Sequence, residues 1–213
     1  MNWKIISFYT DDYRDEVSVL EKSLDRLSLP YDLEFVKSKG DWKENAFYKI
    51  PFIIRKLKQY GHPLVWLDAD AEVLQFPEEF NNVGDSLMAG IYSRLEPREY
   101  VSNTIYLVPS EEVFGFLKEV YKFITEVPTA YDSRMVGEQF YMQKILEANN
   151  WKERLRFKEF PYSYGLPSYW GKDKNPKHNC YKEAPVISQR QASRRKNPVK
   201  RKLYITHKIN IND

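Results

Sequence analysis

The sequence predicts an α/β fold with a mostly parallel sheet flanked by helices. Three observations carry this. Short apolar, β-branched and aromatic runs alternate with helical patterns through the first half of the chain. At 213 residues, 42% of them hydrophobic, the chain can bury one substantial core. Its 30% of charged residues are interleaved with apolar runs, which excludes a disordered chain.

Each element has its own warrant. KIISFYT (4–10) is an apolar, β-branched and aromatic run and reads as a buried first strand. Val17, Leu20, Leu24 and Leu27 then recur at helical spacing, with Asp11 or Asp12 placed to cap the start and Pro30 to end it. YDLEFVK (31–37) alternates as a second strand. Residues 40–62 are mostly helix, with Gly61 near the end and Pro51 demanding a start or kink inside. PLVWLDAD (63–70) is a third strand, SLMAGIYS (86–93) a fourth and VSNTIYLVPS (101–110) a fifth. A helix follows with Val113, Phe116, Leu117, Val120 and Ile124 on one face, then a shorter one from Gly137. After Trp151 the pattern loosens into a section rich in Tyr, Pro and Lys, read as strands and long loops covering a site.

Composition narrows the setting. The single Cys180 excludes an intramolecular disulfide and points to a reducing compartment. The start has too short an apolar core for a secretory signal, and no segment approaches a bilayer span. A cytoplasmic protein with no membrane span is expected. The net charge of +3 is uneven: residues 184–213 hold eight Lys/Arg against Asp213, a sum of +7, which leaves −4 for residues 1–183. The chain thus divides into a core, 1–183, and a basic C-terminal strand and tail, 184–213. The tail either solubilises or meets an anionic partner.

The most informative stretch is WLDAD at the end of the third strand. In open α/β sheets, ligands bind beyond the carboxyl ends of strands. Side chains two apart on a strand share a face, so Asp68 and Asp70 are expected to converge on one point. A hard divalent cation, Mn²⁺ or Mg²⁺, would relieve their repulsion. Rival motifs fail. Asp68, Asp70, Glu72 and Glu79 fall on calcium-loop positions, but Val73 stands where glycine is required and Pro77 intrudes. The first strand runs into TDDYRD without glycines, against a dinucleotide fold, and no P-loop is present.

With these residues in place, the chain resembles the GT-A-fold glycosyltransferases with a D-x-D motif, and among them the small nucleotide-diphospho-sugar transferases of bacteria and phages. The resemblance runs from Lys4 to about Arg195, with the D-x-D strand its most specific piece. It implies a UDP-sugar donor and a metal on Asp68 and Asp70. Thr10 and Asp11 match the grip on base and ribose. Lys49 matches a basic residue ahead of a Pro, with Asn45 one turn earlier. Asn103 matches a strand lining the sugar pocket, although Thr104 and Ile105 stand where Ser-Gly is usual. GEQFYMQKIL resembles an Asp-Gln segment, with Glu138 replacing Asp and Gln139 placed for sugar hydroxyls. PVISQRQASRR resembles the last strand, where a histidine ligand is usual; Gln191 or Gln189 would supply an oxygen instead, or His207 from YITHKI.

Breaking a sugar–phosphate bond leaves a charged diphosphate, so the implied site needs cations as well as acids. Lys49, Arg194 and Arg195 are candidates for that charge. Asp70 and Glu138 are the candidate catalytic carboxylates, Glu138 either as base toward the acceptor hydroxyl or as stabiliser of an oxocarbenium-like state. Glu138 also fits a plain first-turn helix glutamate, and Asn103 a strand-edge residue. The aromatics of FPYSYGLPSYW fit an acceptor platform or loop packing, and Trp66 reads as core. The acceptor is a hydroxyl on a glycan or on a hydroxymethylated DNA base. The alternative is a catalytically inactive module holding nucleic acid through its basic tail.

Overall fold

The computed structural model describes residues 1–93, 98–126, 137–167, 184–190 and 192. Its centre is a six-stranded sheet in the order β2-β1-β3-β6-β5-β7, formed by β1 (Lys4–Tyr9), β2 (Tyr31–Phe35), β3 (Leu64–Leu67), β5 (Met88–Tyr92), β6 (Tyr100–Leu107) and β7 (Lys158–Glu159). β1 pairs in parallel with β2 and β3, and β5 with β7; β6 runs antiparallel to both β3 and β5. A second sheet, β4-β9-β8, joins β4 (Ala71–Val73), β8 (Leu166–Pro167) and β9 (Ile187–Gln189). The α/β expectation holds: the main sheet is mixed, mostly parallel and flanked by helices. β4, β7 and β8 are too short to show a period, and the sequence pattern does not place them.

The helices are α1 (Arg14–Arg26), α2 (Trp42–Phe47), α3 (Lys49–Tyr60), α4 (Glu111–Glu126), α5 (Glu138–Glu147) and α6 (Trp151–Arg154). Two apolar layers result, one on each face of the sheet. Ile6, Leu64, Trp66, Ile105 and Leu107 pack with the inner faces of α3, α4 and α5. Ile5, Val65, Leu67, Ala89 and Tyr106 pack with Leu20 and Leu24 of α1 and with Phe80, Phe160 and Tyr164. α4 buries Val113, Phe116, Leu117 and Val120 as its spacing predicts, and the Ser110 hydroxyl accepts from Val113 N–H at its start.

The long 40–62 helix is two helices. Asp41 caps α2 with a full capping box, accepting from Lys43 and Glu44 N–H while the Glu44 carboxylate takes Asp41 N–H. Pro51 then falls in the first turn of α3, where its missing N–H leaves no helical bond unmade. α3 ends on Gly61 at φ +65, the left-handed cap that glycine adopts without strain. α1 departs from expectation at its start. A 3₁₀ turn over Asp11–Tyr13 leads into it, Tyr13 takes the N-cap, and no side-chain bond caps it.

Candidate active site

β3 stops at Leu67, three residues before the expected strand ends. Its last partner on β6 is Thr104, and Asp68 N–H extends the ladder by one bond to Asn103 O at 3.0 Å. Ala71 N–H then bonds back to Asp68 O at 2.9 Å, closing a turn that sends the chain into β4 of the other sheet. Strand alternation therefore does not orient Asp68 and Asp70. The turn does, and both still line one cavity of about 510 Å³. The cavity lies beyond the carboxyl ends of β1 and β3, where α/β sheets hold ligands.

Lys49, the first residue of α3, is the hub on one side of this cavity. It is 5% exposed, and its Nζ lies 2.9 Å from Asp68 Oδ1, 2.5 Å from Glu138 Oε1 and 3.1 Å from Ser102 O. Burial opposes its charge, but Asp68 and Glu138 outweigh that and hold the ammonium above lysine's ordinary value. Trp66 donates its indole N–H to Asp68 Oδ1 at 2.9 Å, and Ser102 Oγ donates to Glu138 Oε1 at 2.7 Å. Trp66 is core as read, yet one edge of it orients the first aspartate. Ser102 is a residue the sequence reading missed, and its place beside Asn103 on the same strand was the available signal.

Asp70 has a different setting. It is 8% exposed, and its Oδ2 accepts from Ala192 N–H at 2.6 Å. Burial, with the charges of Asp68 and Glu16, raises its carboxyl to about 6 against two backbone hydrogen bonds that lower it. Tyr13 also lines the cavity. Burial and the charges of Asp70, Asp12, Asp68 and Glu16 push its hydroxyl well above the usual tyrosine range. Neither Tyr13 nor Glu16 was legible as a site neighbour, because the 3₁₀ turn that brings them in leaves no periodic signal.

The remaining candidates divide. Thr10 lines the cavity, with its hydroxyl on Asp12 Oδ1 at 2.5 Å. Asp11 is exposed and paired with Arg14 at 2.9 Å, and Asp12 takes its place in the cavity wall. Asn45 lines the cavity and braces the loop before α2, accepting from Lys39 N–H at 2.8 Å and donating to Ser38 Oγ at 3.0 Å. Gly40 in that loop sits at φ +139, and a Cβ there would lie 1.6 Å from the Glu44 carboxylate. Asn103 lines the cavity; its amide donates to Gly165 O at 3.3 Å while its buried Oδ1 has no hydrogen-bond partner among the described residues. Gln139 is not in the wall: its Oε1 accepts from Ser102 N–H at 3.3 Å, and Gln143, one turn on, accepts from Tyr100 N–H at 3.0 Å. Together they satisfy the edge of β6 that β3 no longer covers. Gln189 lines the cavity at 2% exposure, and its buried Nε2 has no partner among the described residues. Gln191, Arg194, Arg195 and His207 lie outside the described residues.

The donor set fits a hard divalent cation. Two carboxylates face one cavity, and the side-chain partners of Asp68, Trp66 and Lys49, both meet its Oδ1. No third His, Cys, Asp or Glu completes a metal-binding group among the described residues. That matches ions that keep one or two protein carboxylates and complete their shell with water and phosphate. Asp12, Asp68, Asp70 and Glu138 face only one cation among the described lining residues, Lys49. An anionic ligand entering this cavity needs further positive charge.

No protein-family model and no curated protein sequence matches the chain. Solved structures do match its fold. A glycosyltransferase involved in the glycosylation of the major capsid of PBCV-1 aligns with a TM-score of 0.63 at 14% identity, over 90% of this chain and 93% of that one. The glycosyltransferase GlyE of Streptococcus pneumoniae TIGR4 aligns at 0.55 and 13% identity, over 87% of this chain and 53% of that chain. Mouse xyloside xylosyltransferase 1 aligns at 0.54 and 9% identity, over 91% and 99%. At these identities the likeness is one of fold, and the fold is that of glycosyltransferases.

Proposed function

We propose that the chain is a metal-dependent glycosyltransferase that moves a sugar from a nucleotide diphosphate sugar, with UDP as the nucleotide, to a hydroxyl acceptor. The observation that carries this is the shared cavity of Asp68, Asp70, Lys49 and Glu138 at the carboxyl ends of the strands. Asp68 and Asp70 would hold Mn²⁺ or Mg²⁺, which when bound supplies Lewis-acid stabilisation of the leaving diphosphate.

The chain's own residues do the rest. Lys49 and Trp66 hold Asp68 in one orientation, and Ala192 N–H holds Asp70. Glu138 is buried and fixed by Lys49 and Ser102, so its carboxylate is pre-oriented. Its part in this reading is to face the positive charge that develops on the sugar ring. Asn103 Oδ1, buried without a partner among the described residues, is an acceptor for a sugar hydroxyl. Arg194 and Arg195 follow Ala192 by two and three residues in the sequence. In this reading they supply the positive charge that the acidic cavity needs beside a diphosphate.

The neighbouring structures favour a glycan acceptor over a DNA base, since one acts in capsid glycosylation and another is a xyloside xylosyltransferase. The test is a thermal-shift screen of nucleoside diphosphates with and without Mn²⁺. A rise in Tm with UDP that needs Mn²⁺ is expected. No rise with any nucleotide would sink the reading and make the basic tail, tested on DNA, the lead.

A further inference from the structure

We propose that Glu16 and Arg190 form a clasp that positions Asp70. The inference rests on the reading of Asp70 as a cation ligand. Glu16 lies in the first turn of α1 and is 5% exposed. Its Oε2 is 2.9 Å from Arg190 Nη1, a close charge contact without the alignment of a hydrogen bond.

The clasp acts on Asp70 through the backbone N–H groups of Arg190 and Ala192. Arg190 N–H donates to Asp70 O at 2.9 Å, and Ala192 N–H donates to Asp70 Oδ2 at 2.6 Å. Arg190 and Ala192 thus grip the main chain and the carboxylate of one residue. The strand that delivers them is short: β9 pairs three residues with β4 and two with β8. Past Gln189 the described sheet ends, and the side-chain tie there is Arg190 to α1.

α1 is the common frame. Ser23, two turns after Glu16 and on the same buried face, accepts from Val73 N–H at 3.0 Å. Arg26 donates to Val73 O at 2.7 Å. One helix therefore holds β4 beyond the aspartate turn through Ser23 and Arg26, and the end of β9 through Glu16. Val17, Leu20 and Leu24 anchor that helix in the core. Asp70 is bracketed between the two attachments, with its Oδ2 held on Ala192 N–H and its side chain in the cavity wall.

Charge and position predict opposite outcomes, which makes the clasp testable. Arg190 carries positive charge near Asp70, so as a mere charge its removal should tighten cation binding. As a positioning residue, its loss frees the Asp70 side chain. The probe is Mn²⁺ alone, with free ion counted by its electron paramagnetic resonance signal. The proteins are wild type, Glu16→Gln, Glu16→Asp, Arg190→Gln, the double Gln variant, and Asp70→Asn as control. Amide exchange of the peptide spanning 189–192 is followed in parallel.

Each Gln variant is expected to bind Mn²⁺ roughly 10- to 100-fold more weakly, as residues that orient a ligand do. The double variant should be no weaker than either single, since both break one contact. Exchange at 189–192 should quicken while that of β6 stays slow. Glu16→Asp keeps the charge and shortens the reach, so it serves even if a Gln variant fails to fold; it too should lose affinity. Affinity at or above the wild-type level in Glu16→Asp or Arg190→Gln, or unchanged exchange at 189–192, overturns the clasp. A wild type that binds no Mn²⁺, or an Asp70→Asn that binds as tightly, overturns the cation reading itself and the clasp with it.

Discussion

Helix α3 carries two buried lysines, Lys49 and Lys56, seven residues apart and so on one face. Each is held between two carboxylates. Lys56 lies against Asp32 and, at 2.8 Å, Glu34. Lys49 lies between Asp68 and Glu138. Asp32 and Glu34 sit two apart on β2, and strand alternation does put them on one side, as was expected of Asp68 and Asp70. Burial pushes both carboxyls up, but Lys56 with Tyr60 outweighs it at Asp32 and Lys56 with Arg55 at Glu34, so both end below their ordinary values. Asp68 has its lysine too, but Asp70 has backbone N–H groups and no described cation, and its carboxyl is raised. Two acidic pairs that look alike in sequence thus differ in surplus charge. The balanced one braces an edge strand, and the unbalanced one lines a cavity.

The sharpest way to break this comparison is to neutralise one acid of each pair. Asp70→Asn should abolish the Mn²⁺-dependent shift with UDP and cut transfer by about 10³-fold or more, the scale of a Lewis acid worth several kcal/mol. Asp32→Asn should leave both intact. Equal losses in the two variants would erase the distinction.

Replacing the lysines tests the same contrast through stability. Lys49→Met strands two carboxylates and should cost about 3–5 kcal/mol in urea unfolding; Lys56→Met, whose partners are wetter, should fall at the lower end of that range. Only Lys49→Met should also lose nucleotide binding.

A third test uses pH. A carboxyl raised to about 6 in the fold and near 4 when unfolded leaves the native state holding the extra proton between those values. Stability contributed by protonated Asp70 is therefore full below pH 4 and lost as pH rises to about 6, on the order of 2–3 kcal/mol. Asp32 and Glu34 act in the opposite sense, since their lowered values add stability that is lost as pH falls. Comparing wild type with Asp70→Asn over pH 4–7 isolates the first trend, and parallel curves would contradict it. The smallest expected effect is Gln139→Ala, about 1 kcal/mol for one hydrogen bond to the β6 edge, with sugar-donor affinity unchanged. A selective loss of donor affinity would return Gln139 to the sugar pocket.

Much of the fold was legible because it is written in local periods. Strands 4–9 and 100–107, the α4 face of Val113 to Val120, and the Gly61 cap each follow from residues within one or two turns. The grouping of Lys49, Asp68 and Glu138 followed from the resemblance of their segments to known motifs and not from any local period, since Lys49 and Glu138 each open a helix far along the chain from Asp68. What the sequence by itself determined, then, is the α/β alternation and a surplus of acid after a buried apolar run. Tertiary structure alone decided how that acid is aimed. The chain turns at Asp68, where the next backbone groups of β6, Ser102 N–H and O, are taken by Gln139 and Lys49, and β9, arriving from more than a hundred residues away, pairs with β4 instead. Contacts at that separation, such as Ala192 on Asp70 and Arg190 on Glu16, leave no period in the sequence, because they depend on where two distant backbones meet.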